Sequence, residues 1–194
     1  MTETGAAVPV DRDRPNLDGP DPAIEFRRLF DTYAKPLHRY LARRAGTDAA
    51  HDLVSETFLV ALKHRHGYDP GRGAVRSWLY GIATNLLRRL VREEIRALRA
   101  TARAASRMGG AESGHDSRVA ERVDAQVLAG RLAAQLVQLS EGDRDVLLLT
   151  AWAGLDSTEV ADALGIPAAT VRTRLHRVRK WLRSNASVEE DNNE

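Results

Sequence analysis

The chain has 194 residues, no cysteine, and 29 basic against 27 acidic residues, which gives a formal net charge of +2. The lack of cysteine excludes a disulfide scaffold, a thiolate metal site and a cysteine nucleophile. No apolar run approaches the roughly 20 residues of a membrane span. The N-terminus carries acids and prolines where a signal peptide has a basic start and an apolar stretch. We therefore expect a cytoplasmic protein.

The small net charge hides a strong segregation along the chain. Residues 1–25 carry six acids and two arginines, and residues 184–194 carry four acids and no base. Each end is therefore −4, and the stretch between them is +10. A basic middle of this kind is typical of a protein that binds a polyanion such as nucleic acid.

The first third of the chain predicts a tail followed by helices. Residues 1–22 are rich in proline, glycine and aspartate, which favours a disordered acidic tail. Between 26 and 45, apolar residues recur every three or four positions, so we expect a helix there, with a kink or a break at Pro36. The next helix carries a stripe of acids spaced by four residues: Asp48, Asp52 and Glu56.

A glycine-rich loop over 67–73 separates these helices from a long one that begins near Val75 and passes Leu98. Around this helix, an aromatic ring, an amide and arginines fall on one face: Trp78, Asn85, Arg88 and Arg92. Such a face suits single-stranded nucleic acid, because rings stack on bases and arginines hold the backbone. The same spacing fits equally well a Trp78 that is part of the core and arginines that form a solvated face. The acidic stripe likewise fits either a basic protein surface or a solvated face.

From about residue 100 the periodicity dissolves into alanine, serine, glycine and arginine, which predicts a flexible linker over 100–121. Apolar periodicity then returns, and no segment alternates with period two long enough to form a strand. The fold class we predict is all-α, with two small helical domains. Their bounds are 23–99 and 122–183, and an acidic tail follows over 184–194.

A helix-turn-helix over residues 156–183 is the strongest single motif. A short helix that Asp156 and Glu159 can cap, a turn at Gly165 and a second helix provide its parts. The second helix carries six bases and no acid: Arg172, Arg174, Arg177, Arg179, Lys180 and Arg183. Like charges at this density are favourable beside phosphates, so the motif indicates DNA binding rather than an ordinary helical hairpin.

Together these pieces resemble an extracytoplasmic-function (ECF) sigma factor, the small promoter-recognition subunit of bacterial RNA polymerase. The sequence at 52–58 (DLVSETF) is similar to the family's core-binding helix, and that at 77–86 (SWLYGIATNL) to its promoter-melting helix. Residues 139–149 and 167–182 are similar to its region-4 helices. Ser55 replaces the family's usual Gln, and Ala168-Ala169 replace a common Gly.

The resemblance implies three sets of functional residues, and neither a cofactor nor a metal. Those expected to bind core polymerase, on the clamp coiled coil of its largest subunit, are Asp52, Leu53, Glu56 and Phe58. Those expected to bind and melt the −10 element are Tyr68, Arg72, Arg76, Trp78, Asn85, Arg88 and Arg92. Those expected to read the −35 element are Thr170, Arg172, Thr173, Arg174, His176, Arg177 and Arg179. The implied partners are core RNA polymerase, duplex and single-stranded promoter DNA, and an anti-sigma factor, and the implied location is the cytoplasm, at the nucleoid when in holoenzyme.

Two other function classes fit the sequence less well. An enzyme is disfavoured because the six histidines show no metal-ligand spacing and no phosphate-cradling loop or nucleophile elbow is present. A self-sufficient helix-turn-helix regulator is disfavoured because it needs a sensing or dimerising domain, whereas the first domain here resembles one that binds polymerase and melted DNA. Co-elution with core polymerase distinguishes it from a sigma factor.

Overall fold

The computed structural model describes residues 13–107, 136 and 138–191, and every regular element among them is helical. The N-terminal half, residues 13–107, contains α1 (Pro22–Ala45), α2 (Thr47–Lys63), a 3₁₀ turn (Arg65–Gly67) and α3 (Val75–Arg107). The C-terminal half, residues 136 and 138–191, contains α4 (Glu141–Ala151), α5 (Ser157–Leu164) and α6 (Ala168–Asp191). The all-α prediction is confirmed for this part of the chain.

Helix α1 supplies much of the N-terminal core. The Asp21 side chain caps its first turn by accepting the Ile24 N–H, and proline in a first turn loses no helical hydrogen bond. Its inward residues step by three or four and are buried against α2 and α3: Phe26, Leu29, Tyr33, Leu37, Tyr40 and Leu41. The helix runs through Pro36 without the break that the sequence allowed.

The predicted disordered tail over 1–22 is wrong for its last ten residues. Leu17 is only 2% exposed and belongs to the core. The Asp13 carbonyl accepts the Val75 N–H at 2.7 Å, and Arg14 donates to the Pro70 carbonyl at 2.7 Å. These contacts tie the segment to the core, to the loop before α3 and to the first residue of that helix. A composition averaged over a proline- and acid-rich stretch does not show them. Residues 1–12 lie outside the described residues.

Within the described residues of the C-terminal half, the helices begin and the turn falls where the sequence predicts. Ser140 caps α4 by accepting the Asp143 N–H, and Asp156 and Glu159 form a complete capping box on α5. Gly165 ends α5 in the left-handed conformation, at φ 64°. This conformation has the lowest conformational energy cost for glycine, because glycine has no Cβ. The helix-turn-helix therefore has the local chemistry that its sequence indicates.

Two predicted segment limits change. Helix α3 continues to Arg107, into the predicted linker, because alanine and arginine are strong helix formers. The rest of the linker and most of the apolar stretch before residue 140 lie outside the described residues. Helix α6 continues to Asp191, into the predicted acidic tail.

The two halves pack against each other through α3 and α5. A Cβ placed on Gly81 of α3 would lie 2.5 Å from the Ala163 carbonyl oxygen of α5. Real Cβ atoms do not approach an oxygen so closely, so glycine permits this contact. The close approach brings the start of α3 against the helix-turn-helix.

Candidate nucleic-acid interface

Helix α6 has one buried face and one exposed basic face. Val171, Leu175 and Val178 are buried and pack it onto the helices before it. Of the residues predicted to read DNA, five lie on the exposed side and two are half-buried; the five are Arg172, Thr173, His176, Arg177 and Arg179. Apolar residues three and four apart force the residues between them outward, so packing itself presents this face.

Helix α4 supports two arginines of that set. Arg177 forms an ion pair with Asp143, whose carboxylate also accepts the Ser140 hydroxyl. The Arg174 guanidinium lies over Gly142, where an added Cβ would be 2.4 Å from its Nη1 atom. Both contacts join residues of the same half, so they fix these arginines relative to the helix-turn-helix.

The loop before α3 is organised by two aromatic residues from the predicted −10 set. Tyr68 is buried and donates its hydroxyl to the Gly73 carbonyl at 3.1 Å. Its ring lies 5.2 Å, centroid to centroid, from that of the half-buried Trp78. Tyr68 therefore shapes the loop more than it offers a surface.

The remaining residues of the predicted −10 set do not share one exposed face. Arg72, Asn85 and Arg92 are exposed, whereas Arg76 and Arg88 reach across to the C-terminal half. Arg76 donates to the Ala153 carbonyl and lies 3.4 Å from a Glu159 carboxylate oxygen.

A buried ion-pair cluster lies where the halves meet. Asp145 of α4 is fully buried, and its carboxylate lies 2.6 Å from the guanidinium groups of both Arg44 and Arg88. Glu141 approaches Arg88 at 3.2 Å. Arg44 also donates to the Tyr40 hydroxyl at 2.6 Å, and burial raises the pKa of that phenol, which keeps it neutral. Sequence reasoning missed Arg44 and Asp145, because residues so far apart leave no local pattern.

A cavity of about 520 Å³ opens between the loop before α3 and the turn of the helix-turn-helix. Its walls come from both halves, and they include Tyr68, Arg72, Trp78, Asp162, Gly165 and Pro167. The residues expected to hold an opened DNA strand thus face the domain expected to read duplex DNA.

The predicted polymerase-binding set divides into surface and core. Asp52 and Glu56 are exposed on α2, beside a shallow groove that Arg89 and Glu93 also line. Leu53 and Phe58 are buried, at 5% and 8% exposure. Leu53 also lines that groove, and both residues belong to the core, so they hold the helix that displays the acids. Direct contact of these two residues with the polymerase stays a prediction.

No group of three or more potential metal ligands occurs among the described residues. None of the helices in the described ranges is both long enough and apolar enough to cross a bilayer.

Comparison with known proteins places these features in a family. Models of sigma-70 region 2 and sigma-70 region 4 match residues 29–103 and 129–182. The chain is 32% identical to the ECF RNA polymerase sigma factor SigL of Mycobacterium tuberculosis, over 83% of this chain and 88% of that protein. It is 30% identical to SigW of Bacillus subtilis, over 81% and 87% respectively. The chain belongs to the ECF sigma factors.

Solved structures agree with that assignment. CnrH, in complex with the cytosolic domain of CnrY, superimposes with a TM-score of 0.58 at 26% identity, over 85% of this chain and 89% of that one. RpoE of Bartonella quintana, in complex with the anti-sigma factor NepR, gives the same TM-score at 21% identity, over 84% and 98%, which supports the fold alone.

As an ECF sigma factor, the protein binds core RNA polymerase, recognises promoter DNA and directs transcription initiation. Its relatives are sigma factors, a class that is not catalytic.

Proposed function

We propose that this sigma factor divides promoter recognition between its two halves. Residues 23–99 act as region 2, which binds core polymerase and opens the −10 element. Residues 122–183 act as region 4, which reads the −35 element. The segment 100–121 joins them, and its first eight residues extend α3.

The exposed basic face of α6 carries the proposal for region 4. Arg172, Thr173, His176 and Arg177 project from a helix whose opposite side is fixed by buried valines and a leucine. A helix presented in this way enters a major groove, where arginine bonds guanine edges and threonine contacts thymine methyl groups. Thr170, Arg174 and Arg179 flank this face and suit contacts to the phosphates.

Region 2 holds the opened strand in our proposal. Asn85 and Arg92 lie two turns apart on the exposed side of α3, and Arg72 lies on the loop before it. Trp78 closes one side of the cavity, where an unstacked base fits against its ring, and Tyr68 supports that ring. Arg76 and Arg88 complete the basic face once they are released from the other half.

The exposed acids of α2 support a contact with core polymerase. Asp52 and Glu56 form the surface that we assign to the clamp coiled coil of the largest subunit, since a basic partner complements their charge. We further propose an anti-sigma factor as a partner, a cytoplasmic location with nucleoid association in holoenzyme, and no catalytic activity of the chain itself.

Run-off transcription with core polymerase on genomic promoter fragments tests this function. We expect specific transcripts only when the chain is added, and co-elution of the chain with core polymerase. Arg172→Ala should reduce promoter selectivity without preventing co-elution. Absence of any start site, or failure to bind core, would contradict the proposal and favour a self-sufficient DNA-binding regulator.

A further inference from the structure

The Asp145 carboxylate is the feature of the interface that the proposed function leaves unexplained. It is an acid on a DNA-binding half, it is fully buried, and its two guanidinium partners belong to the other half. A buried charge is stable only when it is paired. Asp145 can therefore remain buried and ionised only while Arg44 and Arg88 of the other half lie beside it.

The two arginines in turn need an anion between them. Arg44 and Arg88 come from different helices, yet both lie 2.6 Å from the same carboxylate. The Arg44 side chain is only 9% exposed. If Asp145 left, two cations would face each other across the space that it vacated, and their repulsion would favour entry of another anion.

We propose that Arg44 and Arg88 form a binding site for a phosphodiester of promoter DNA, and that Asp145 fills this site while the halves are closed. This inference rests on the proposed role of region 2 in holding the −10 strand. Guanidinium N–H groups donate to the oxygens of a phosphate as they do to those of a carboxylate, so one anion can replace the other. Arg44 is thereby added to the DNA-binding residues.

A second contact follows the same pattern. Arg76, also expected to bind the −10 strand, donates to the Ala153 carbonyl and lies 3.4 Å from Glu159. The cavity beside Trp78 is walled by Asp162 and the helix-turn-helix. Acids and backbone oxygens of the C-terminal half thus occupy the positions that DNA needs, and the halves must separate before the strand can bind.

A reversible covalent lock tests closure directly. A Cβ built on Gly73 lies 3.5 Å from the Asp162 Cβ, within the range of about 3.5–4.5 Å that disulfides show. The chain has no other cysteine, so Gly73→Cys with Asp162→Cys can form only this intramolecular bond. We expect oxidation to cross-link the monomer and to lower its affinity for a single-stranded −10 oligonucleotide at least tenfold, and reductant to restore it.

The same protein under reductant is the matched control for the lock. Failure to cross-link, or equal affinity of the oxidised and reduced forms for the oligonucleotide, would overturn the closure. If the substitutions themselves weaken binding under reductant, the Asp145 variants described next decide the question.

The phosphate site is tested in chains that have been opened. Asp145→Asn removes the competing charge, so the free chain should bind the oligonucleotide several-fold more tightly. In that background, Arg44→Ala should lower the affinity and reduce the slope of log affinity against log salt by about one. Arg27→Ala, at an exposed arginine of the same helix, is the control, and it should change the affinity and the salt slope less than Arg44→Ala does. Unchanged binding after Arg44→Ala would show that Arg44 serves only the interface.

Two readouts keep this inference separate from the proposed function. Helical content by circular dichroism establishes that the Asp145→Asn chain is folded, and the lock does not depend on that variant. Run-off transcription by the wild-type chain tests the sigma activity on its own. If transcription fails while cross-linking and competition occur as expected, the closure stands and the assignment to promoter melting falls.

Discussion

The two halves of the molecule hold some of the arginines predicted to bind DNA in different ways. In the C-terminal half, Arg177 pairs with Asp143 and Arg174 rests on Gly142, so both contacts stay within the half. In the N-terminal half, Arg76 and Arg88 pair with Glu159 and Asp145, which belong to the other half. A contact within one half orients the arginine side chain. A contact between the halves uses the charge of the arginine in an ion pair, so that charge is not available to another anion.

This difference separates two tasks. The face of α6 that we propose reads duplex DNA is exposed while the halves are in contact, so on this proposal it can bind without rearrangement. The face of α3 that we propose holds the opened strand has Arg76 and Arg88 paired with the other half, so on this proposal the halves must part first.

A core truncation should have the largest effect and test whether the halves are separate folding units. Leu149→Ala removes a fully buried side chain of α4, and we expect a loss of about 2–5 kcal/mol of stability in the C-terminal half. Thermal unfolding followed by fluorescence, in chains that keep either Trp152 or Trp78 as the single tryptophan of the three, should show the Trp152 transition at a lower temperature than that of Trp78. Leu37→Ala is the matched change in α1. A single shared transition in both variants would mean that the halves unfold as one unit.

Separating duplex reading from melting should show the next largest effect. Arg172→Ala should weaken binding to −35 duplex DNA by about 1–3 kcal/mol, since a base contact is lost. Asn85→Ala should leave duplex binding unchanged and reduce open-complex formation, measured by permanganate footprinting. A pre-melted bubble template should rescue Asn85→Ala and not Arg172→Ala. Equal rescue of both variants is the result that contradicts the division.

Reversing the acidic stripe should have a smaller effect, confined to polymerase binding. Asp52→Arg with Glu56→Arg places bases where we expect a basic partner, and pull-down of core polymerase should weaken about tenfold. Both residues are exposed on α2, so helical content should not change. Lys63→Glu, at an exposed position near the end of the same helix, serves as a charge-change control. Undiminished pull-down would make the stripe a solvated face.

Removing one helix cap should give the smallest effect. Asp156→Ala deletes the carboxylate that accepts the Thr158 and Glu159 N–H groups, and such caps contribute about 1 kcal/mol. The thermal midpoint of the C-terminal half should fall slightly, with −35 affinity reduced less than by Arg172→Ala. An Asp156→Ser variant should recover most of the stability, because serine also caps well.

Local chemistry made much of the molecule predictable. Asp156, Glu159 and Gly165 act within one turn of the chain, so their pattern alone specifies where α5 begins and ends. The basic face of α6 over residues 172–183 could be predicted because helical periodicity decides which residues are outward. Leu17 shows the limit of this approach, since a single apolar residue in a proline-rich stretch gives no periodic signal, yet it is buried.

By itself, the sequence determined the helical elements, the helix-turn-helix, the basic middle and the resemblance to ECF sigma factors, because each depends on residues close together in the chain. Only the tertiary structure decided which arginines form ion pairs between the two halves. Arg44, Arg88 and Asp145 meet across two halves, and so do Gly81 and Ala163. Ion pairs and close approaches of this kind depend on distance in space, and the order of residues along the chain carries no measure of it.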